Sequence, residues 1–236
     1  MFSRFTHSRF IKSPFLRPEP RSNAVAAAVA AASFIGSAIN TVDGTSFTFT
    51  SQDIGAADGT RLVVVAVVAA AGTASDPTSV TIGGNGATKA VGRTESTIGT
   101  VSIWYLAVAT GTTANIVVNF SASHARCGIG VFRLVNLVSN TPTATGTGGG
   151  SGITTANANV NVTGPNGIVV AVGNSTNTAV ATHTWTGVTE SYDQTVEGTT
   201  AQSGGFASGL ATETPRTIND TISTANILAV VSAAWH

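Results

Sequence analysis

Residues 62–71 read Leu-Val-Val-Val-Ala-Val-Val-Ala-Ala-Ala, an unbroken apolar run fenced by Asp58-Gly59 before it and Gly72 after it. Valine is β-branched, so it packs well on a pleated surface and loses rotamer freedom in a helix; a run of this length between turn residues is a strand buried on both faces. It is too short to cross a bilayer, which takes roughly 20 apolar residues. Whatever this chain folds into must therefore supply a layer on each side of that strand.

The rest of the chain supplies strands. Residues 45–50 (TSFTFT) alternate with period two, residues 79–82 precede a Gly83-Gly84-Asn85-Gly86 turn, and residues 101–108, 116–120 and 128–134 follow. After a Gly/Thr-rich break at 141–152 (TPTATGTGGGSG), read as a flexible connection, strand patterns resume at 159–163, 168–172, 183–188, 203–210, 217–222 and 227–234. Short strands at regular spacing, with no long helical stretches between them, point to an all-β antiparallel sandwich, jelly-roll-like, not to a parallel α/β sheet.

The two halves echo one another. Asp58 to Val64 finds a partner in Pro165 to Val170, and residues 104–134 can be laid without a gap on 206–236, matching Ala109 with Ala211, Thr110 with Thr212, Thr112 with Thr214, Ile116 with Ile218 and Ser121 with Ser223. The expected organisation is an arm and Ala-rich spacer over 1–39, then a sandwich over 40–236 made of half-units at about 40–140 and 153–236. Two half-units closing one sandwich of roughly ten to twelve strands, or two small sandwiches, both satisfy the pattern.

Charge is sparse, 9% of residues against roughly 25% in typical soluble domains, and it is unevenly placed. Residues 1–23 hold Arg4, Arg9, Lys12, Arg17 and Arg21 against Glu19 alone, so the arm carries about +4 and the remainder of the neutral chain about −4. Phe2, Phe5, Phe10 and Phe15 are interleaved with these cations, and Pro14, Pro18 and Pro20 break any helical or strand period. Such an arm can dock on an acidic surface, cations steering and phenylalanines filling pockets, with Phe2, Arg4, Phe5, Arg9, Phe10, Lys12, Phe15 and Arg17 as the contacts. A basic, acid-poor start before an Ala-rich stretch also fits a targeting segment cleaved near Ala32. A body surfaced by Thr, Ser and Asn suits a subunit packed among neighbours.

Chemical motifs are scarce. His124 and Cys127 are three apart, but a zinc site wants three or four ligands and no second cluster exists; no metal site and no cofactor is expected. Cys127 is the only cysteine, so no internal disulfide forms. Gly149-Gly150-Ser151-Gly152 lacks the spacing of a nucleophile elbow, and Gly83 to Lys89 lacks the Gly-Lys-Ser/Thr order of a phosphate loop and reads as a hairpin turn. Glu190, Asp193 and Glu197 lie beside Trp185 and Tyr192 on what reads as a solvated loop; Trp185 and Tyr192 are the candidate glycan-stacking residues. The sequons at Asn119, Asn161, Asn174 and Asn219 arise readily in so Asn/Thr-rich a chain. No basic, aromatic-lined face marks the body for nucleic acid, and no membrane segment is read.

A basic aromatic arm, an Ala/Gly/Thr/Val-rich sandwich, the VVVAV strand at 63–67 and the Ser102-Ile103-Trp104-Tyr105-Leu106-Ala107-Val108-Ala109-Thr110-Gly111 strand together resemble small structural proteins of tailed bacteriophage virions. The resemblance implies a non-enzymatic capsid decoration, head-fibre or tail component that contacts other virion proteins and self-associates as a trimer or other small ring. A secreted carbohydrate-binding or adhesin module with a cleaved signal is the alternative.

Overall fold

The computed structural model describes residues 28–70 and 74–236, and every element in them is a β-strand. The first half holds β1 (Ala31–Asn40), β2 (Gly44–Asp53), β3 (Leu62–Ala70), β4 (Ser79–Ile82), β5 (Asn85–Gly86), β6 (Thr88–Glu95), β7 (Gly99–Ala107), β8 (Thr113–His124) and β9 (Arg126–Val135). They form a five-stranded sheet in the order β1-β9-β3-β7-β6 and a four-stranded sheet in the order β2-β8-β4-β5, antiparallel throughout.

The second half repeats this path with β10 (Ala144–Asn157), β11 (Val160–Val162), β12 (Gly167–Thr176), β13 (His183–Thr186), β14 (Thr189–Glu197), β15 (Thr200–Leu210), β16 (Glu213–Arg216) and β17 (Asn219–Trp235). Its large sheet runs β10-β17-β12-β15-β14, strand for strand the order of the first. Its outer layer is smaller, with β11 on β16 and β13 on the first four residues of β17.

Four layers result, because the two large sheets pack face to face. Leu62, Val64, Ala66 and Val68 of β3 share one core cluster with Ile168, Val170 and Val172 of β12. The intervening Val63, Val65, Val67 and Ala69 face the first outer sheet, against Phe47, Phe49, Ile116 and Val118. Period-two alternation thus puts every side chain of β3 in a core, all at 5% exposure or less. A fully buried valine is worth roughly 1.5–3 kcal/mol, so this run is a main source of stability.

Several sequence expectations need correction. The units are two complete sandwiches stacked on each other, so neither a single closed sandwich nor two separated ones describes them. Ala31 to Asn40 is the edge strand β1, not spacer; alanine's helical preference is a weak prior that strand pairing with β9 overrides. The Gly/Thr break is no flexible connection: Ala144 to Asn157 is β10, paired with β17. A Cβ on Gly146 or Gly148 would collide with the backbone of Ala158, Asn159 or Asn157, so glycine here permits close chain approach. The true connector is residues 136–143, pinned where Val138 N–H donates to His236 O and Trp235 Nε1 to Asn140 O.

The internal repeat is genuine in strand order, but its register is subtler than an ungapped alignment. Ile116 and Ile218 do occupy the same place in the two outer cores. In the large sheets, pairing and face match Val63 with Val169, as the echo of Asp58 to Val64 in Pro165 to Val170 has it, but Leu106 with Ala207 and Arg133 with Ala234, one residue away from the ungapped overlay. A one-residue slip would turn each of these side chains to the opposite face.

Candidate functional site

The second unit encloses a hydroxyl, an imidazole and a carboxylate in line. On β12, Val169, Ala171, Gly173 and Ser175 face the outer layer, and Gly173, lacking a side chain, leaves the space that the Asp220 carboxylate fills. β13 pairs His183 with Ile222 and Trp185 with Asp220, which aims the imidazole between Ser175 and Asp220. His183 Nδ1 lies 2.8 Å from Asp220 Oδ2 and 3.0 Å from Oδ1, and Nε2 lies 3.0 Å from Ser175 Oγ. In the neutral ring, with Nδ1–H donating to the carboxylate, Nε2 accepts the Ser175 hydroxyl proton; when the ring is protonated, Nε2–H donates to Oγ instead.

The surroundings extend this network. The His183 backbone N–H donates to Asp193 Oδ2 at 2.9 Å. Trp185 Nε1 donates to Ser203 Oγ at 2.8 Å, and that hydroxyl donates to Tyr192 O. Burial pulls the His183 pKa down, but Asp220, with help from Asp193 and Glu190, outweighs it and the net shift is upward. Burial pushes Asp220 up against the opposing pull of His183. Glu190 is raised by partial burial and by Asp193.

Ser-His-Asp in this order is the constellation that polarises a serine for acyl transfer. Ser175 and Asp220 are at 0% exposure and His183 at 4%, so the Oγ has no open face from which to meet a substrate. Among its described residues the first unit has no Ser-His-Asp line of this kind. Positions equivalent to Ser175, His183 and Asp220 by register and face are Ala69, Thr78 and Val118. The second unit therefore carries a sealed polar network where its counterpart places Ala69 and Val118 in an apolar core and leaves Thr78 exposed, its hydroxyl donating to Asn119 O. Serine, histidine and aspartate are separated by 8 and 37 positions and sit on three strands, so no local motif announced them.

Residues singled out in the sequence fare differently. Tyr192 is buried, its hydroxyl without a hydrogen-bond partner among the described residues and its ring stacked at 5.2 Å on Phe34, so it is core and offers no glycan platform. Its pKa is raised by burial. Trp185 is half-buried above Gly173. Glu190, Asp193 and Glu197 lie on strand β14, not on a loop, and Glu197 pairs with Arg126 at 3.5 Å. His124 is buried with Nδ1 donating to Ala122 O and Nε2 accepting Ser75 N–H; both nitrogens are engaged, and burial lowers its pKa. Cys127 is enclosed in the first outer core, its thiol pushed up by burial. Among the described residues no group of three or more His, Cys, Asp or Glu is placed to hold a metal ion. The hairpin reading of Gly83 and Gly84 holds, both at positive φ between β4 and β5. Phe2, Arg4, Phe5, Arg9, Phe10, Lys12, Phe15 and Arg17 lie outside the described residues.

A cavity of about 330 Å³ lies beside the connector, lined by Arg61, Leu137, Val138 and Asn140 and not by Ser175. Its one charged group is committed elsewhere: the Arg61 guanidinium donates to the carbonyls of Ile54, Gly55, Val108, Thr110 and Gly111. The outward faces of the outer sheets carry rungs of hydroxyl and amide groups: Ser46-Asn119-Ser79 in the first unit, Thr155-Thr221-Thr184 in the second. No protein-family model matches the chain, and no curated protein or solved structure matches it.

Proposed function

We propose that the chain is a non-enzymatic structural subunit of a tailed-phage virion, a capsid decoration, head-fibre or tail component. The observation that carries this reading is the distribution of polar chemistry. The Ser175, His183 and Asp220 groups are sealed inside the second unit, while the outward faces of the outer layers carry uncharged rungs such as Ser46-Asn119-Ser79 and Thr155-Thr221-Thr184. Surfaces of this kind associate by shape and many weak contacts, and in a multi-copy assembly avidity makes such contacts sufficient. The alternation of most strands between the sheets β1-β9-β3-β7-β6 and β2-β8-β4-β5 supports a jelly-roll-like path, an architecture used by capsid proteins. Docking falls to the arm, whose five cations and interleaved phenylalanines complement an acidic partner.

The test is deletion of residues 2–23. The truncated chain should keep the thermal midpoint of the full chain and lose incorporation into particles separated on a density gradient. Normal incorporation without the arm would overturn arm docking, and absence of the full chain from purified particles would overturn the virion role itself.

A further inference from the structure

The two large sheets meet in a particular way. β1 lies over β14 and β15, β6 over β17 and β10, β3 over β12, and β7 over β12 and β17. In repeat terms β14 is the counterpart of β6 and β10 of β1, so the first unit's β1 covers the second unit's β6-equivalent and the reverse also holds. Each unit presents the same patch to the other, the pattern of an isologous dimer about a two-fold axis.

The side chains break that symmetry in one direction. Tyr192 of the second unit fits where Gly130 and Gly204 lack side chains; a Cβ on Gly130 would lie 2.5 Å from the phenol oxygen. Gln202 likewise lies against Gly128, where a Cβ would collide with its amide. The two-fold mates of these contacts are different. Val91 is the counterpart of Tyr192 and Val231 that of Gly130; Val101 is the counterpart of Gln202 and Ala229 that of Gly128. All four mates belong to the shared core cluster.

We infer that the two sandwiches are each other's non-covalent partners: a homodimer interface internalised in one chain and made one-way by the glycine seats of the first unit. Two second units brought together would drive Tyr192 into Val231 and Gln202 into Ala229. Two first units would set Val91 and Val101 over bare glycines and leave voids. Only the mixed pair fills the interface, a specificity built from clashes as much as from contacts. Asn174 adds a polar latch in the same direction, its amide donating to Ala69 O and Thr100 O across the boundary, where the counterpart position holds Val68.

The test cuts the full chain after it has folded. A protease site inserted between Ser139 and Asn140, in the exposed part of the connector, is cleaved, and native mass spectrometry at micromolar concentration reads the products. The expected result is one species containing both halves in 1:1 ratio, with homodimers of either half below a few per cent after prolonged incubation. Release of free halves would overturn mutual recognition, and homodimers at statistical proportions would overturn the one-way seats. Gly130→Leu in the cleaved protein should raise the free-half fraction at least tenfold. Should that variant fail to fold before cleavage, Tyr192→Val, which opens space instead of filling it, supplies the same comparison, and an unchanged free-half fraction in it would count against the seat.

Discussion

His183 Nδ1 stands 2.8 Å from Asp220 Oδ2 with both side chains fully shielded from solvent. The pair ties stability to pH. The raised pKa of His183 means its contribution is full below its ordinary value near 6.5 and is lost as pH rises through the higher folded value. Asp220, also raised, holds its proton beyond the ordinary 3.8, so it too removes stability as pH rises from there. His124 acts oppositely: lowered by burial, it contributes fully above about pH 6.5 and loses stability as pH falls. Thermal midpoints from about pH 4 to 9 should fall at the alkaline end in the parent, and His183→Gln should remove that fall above about pH 6.5. His124→Asn should flatten the acid side, since Asn226 already anchors the corresponding loop of the second unit by accepting Thr178 N–H. An alkaline limb identical in parent and His183→Gln would exclude the pair as its source.

The same pair should be costly to break and cheap to replace. Asp220→Val alone leaves the buried imidazole Nδ1–H without its acceptor, and a broken buried pair costs about 3–5 kcal/mol. Ser175→Ala, His183→Leu and Asp220→Val together replace the network by apolar side chains, the first and last matching Ala69 and Val118 of the first unit, and a well-packed apolar substitute is often neutral or stabilising by about 1–4 kcal/mol. Urea unfolding separates the two cases. A triple variant as unstable as the single one would mean that the network specifies the outer-layer geometry and is not merely tolerated by it.

What could be read in advance followed from periodicity. Residues 62–70 are continuous and β-branched, so a doubly covered strand was the only comfortable reading, and Phe47 and Phe49 alternate as cleanly as a half-buried strand should. β1 and β10 were not legible because Ala31 to Asn40 is rich in alanine and serine and Ala144 to Asn157 is interrupted by five glycines; pairing with β9 and β17 makes them strands. Tyr192 looked like a stacking residue by sequence proximity to Trp185 and Glu190, but only the second large sheet's position over Gly130 decides that it points inward. The Ser175, His183 and Asp220 cluster depends on three strands meeting, which no local window contains.

Glycine in β10 gives a prediction that separates close approach from flexibility. Gly148→Ala places a methyl group against the Asn157 backbone, which cannot yield as a side-chain tip would. Overpacking of this kind costs typically 1–3 kcal/mol, and about 2 kcal/mol or more is expected here because the obstruction is main chain. Gly36→Ala in β1 meets open space and should change stability by less than about 1 kcal/mol, gaining from a stiffer unfolded chain. Equal effects at the two positions, measured by denaturant midpoint, would contradict the close-approach account.

Arg61 precedes β3 and is at 1% exposure, so its interactions are fully desolvated. Its Nε donates to Val108 O at 2.6 Å, Nη1 to Gly55 O and Ile54 O, and Nη2 to Thr110 O and Gly111 O at 2.7 and 2.9 Å. The guanidinium fork thus ties the loop before β3 to the loop after β7, and burial lowers its pKa. Lysine keeps the charge but offers one nitrogen on a flexible stem, which cannot reach both loops at once. Arg61→Lys would leave at least two carbonyls unpaired, at about 1–3 kcal/mol each, so a loss on the order of 3 kcal/mol is expected in urea unfolding. Hydrogen exchange should show the loss locally, with faster exchange at Val108, whose amide donates to Arg61 O, and at Ile54, whose amide donates to Thr112 O. A lysine variant within about 1 kcal/mol of the parent, with exchange at those amides unchanged, would mean that the backbone bonds hold the two loops without the fork.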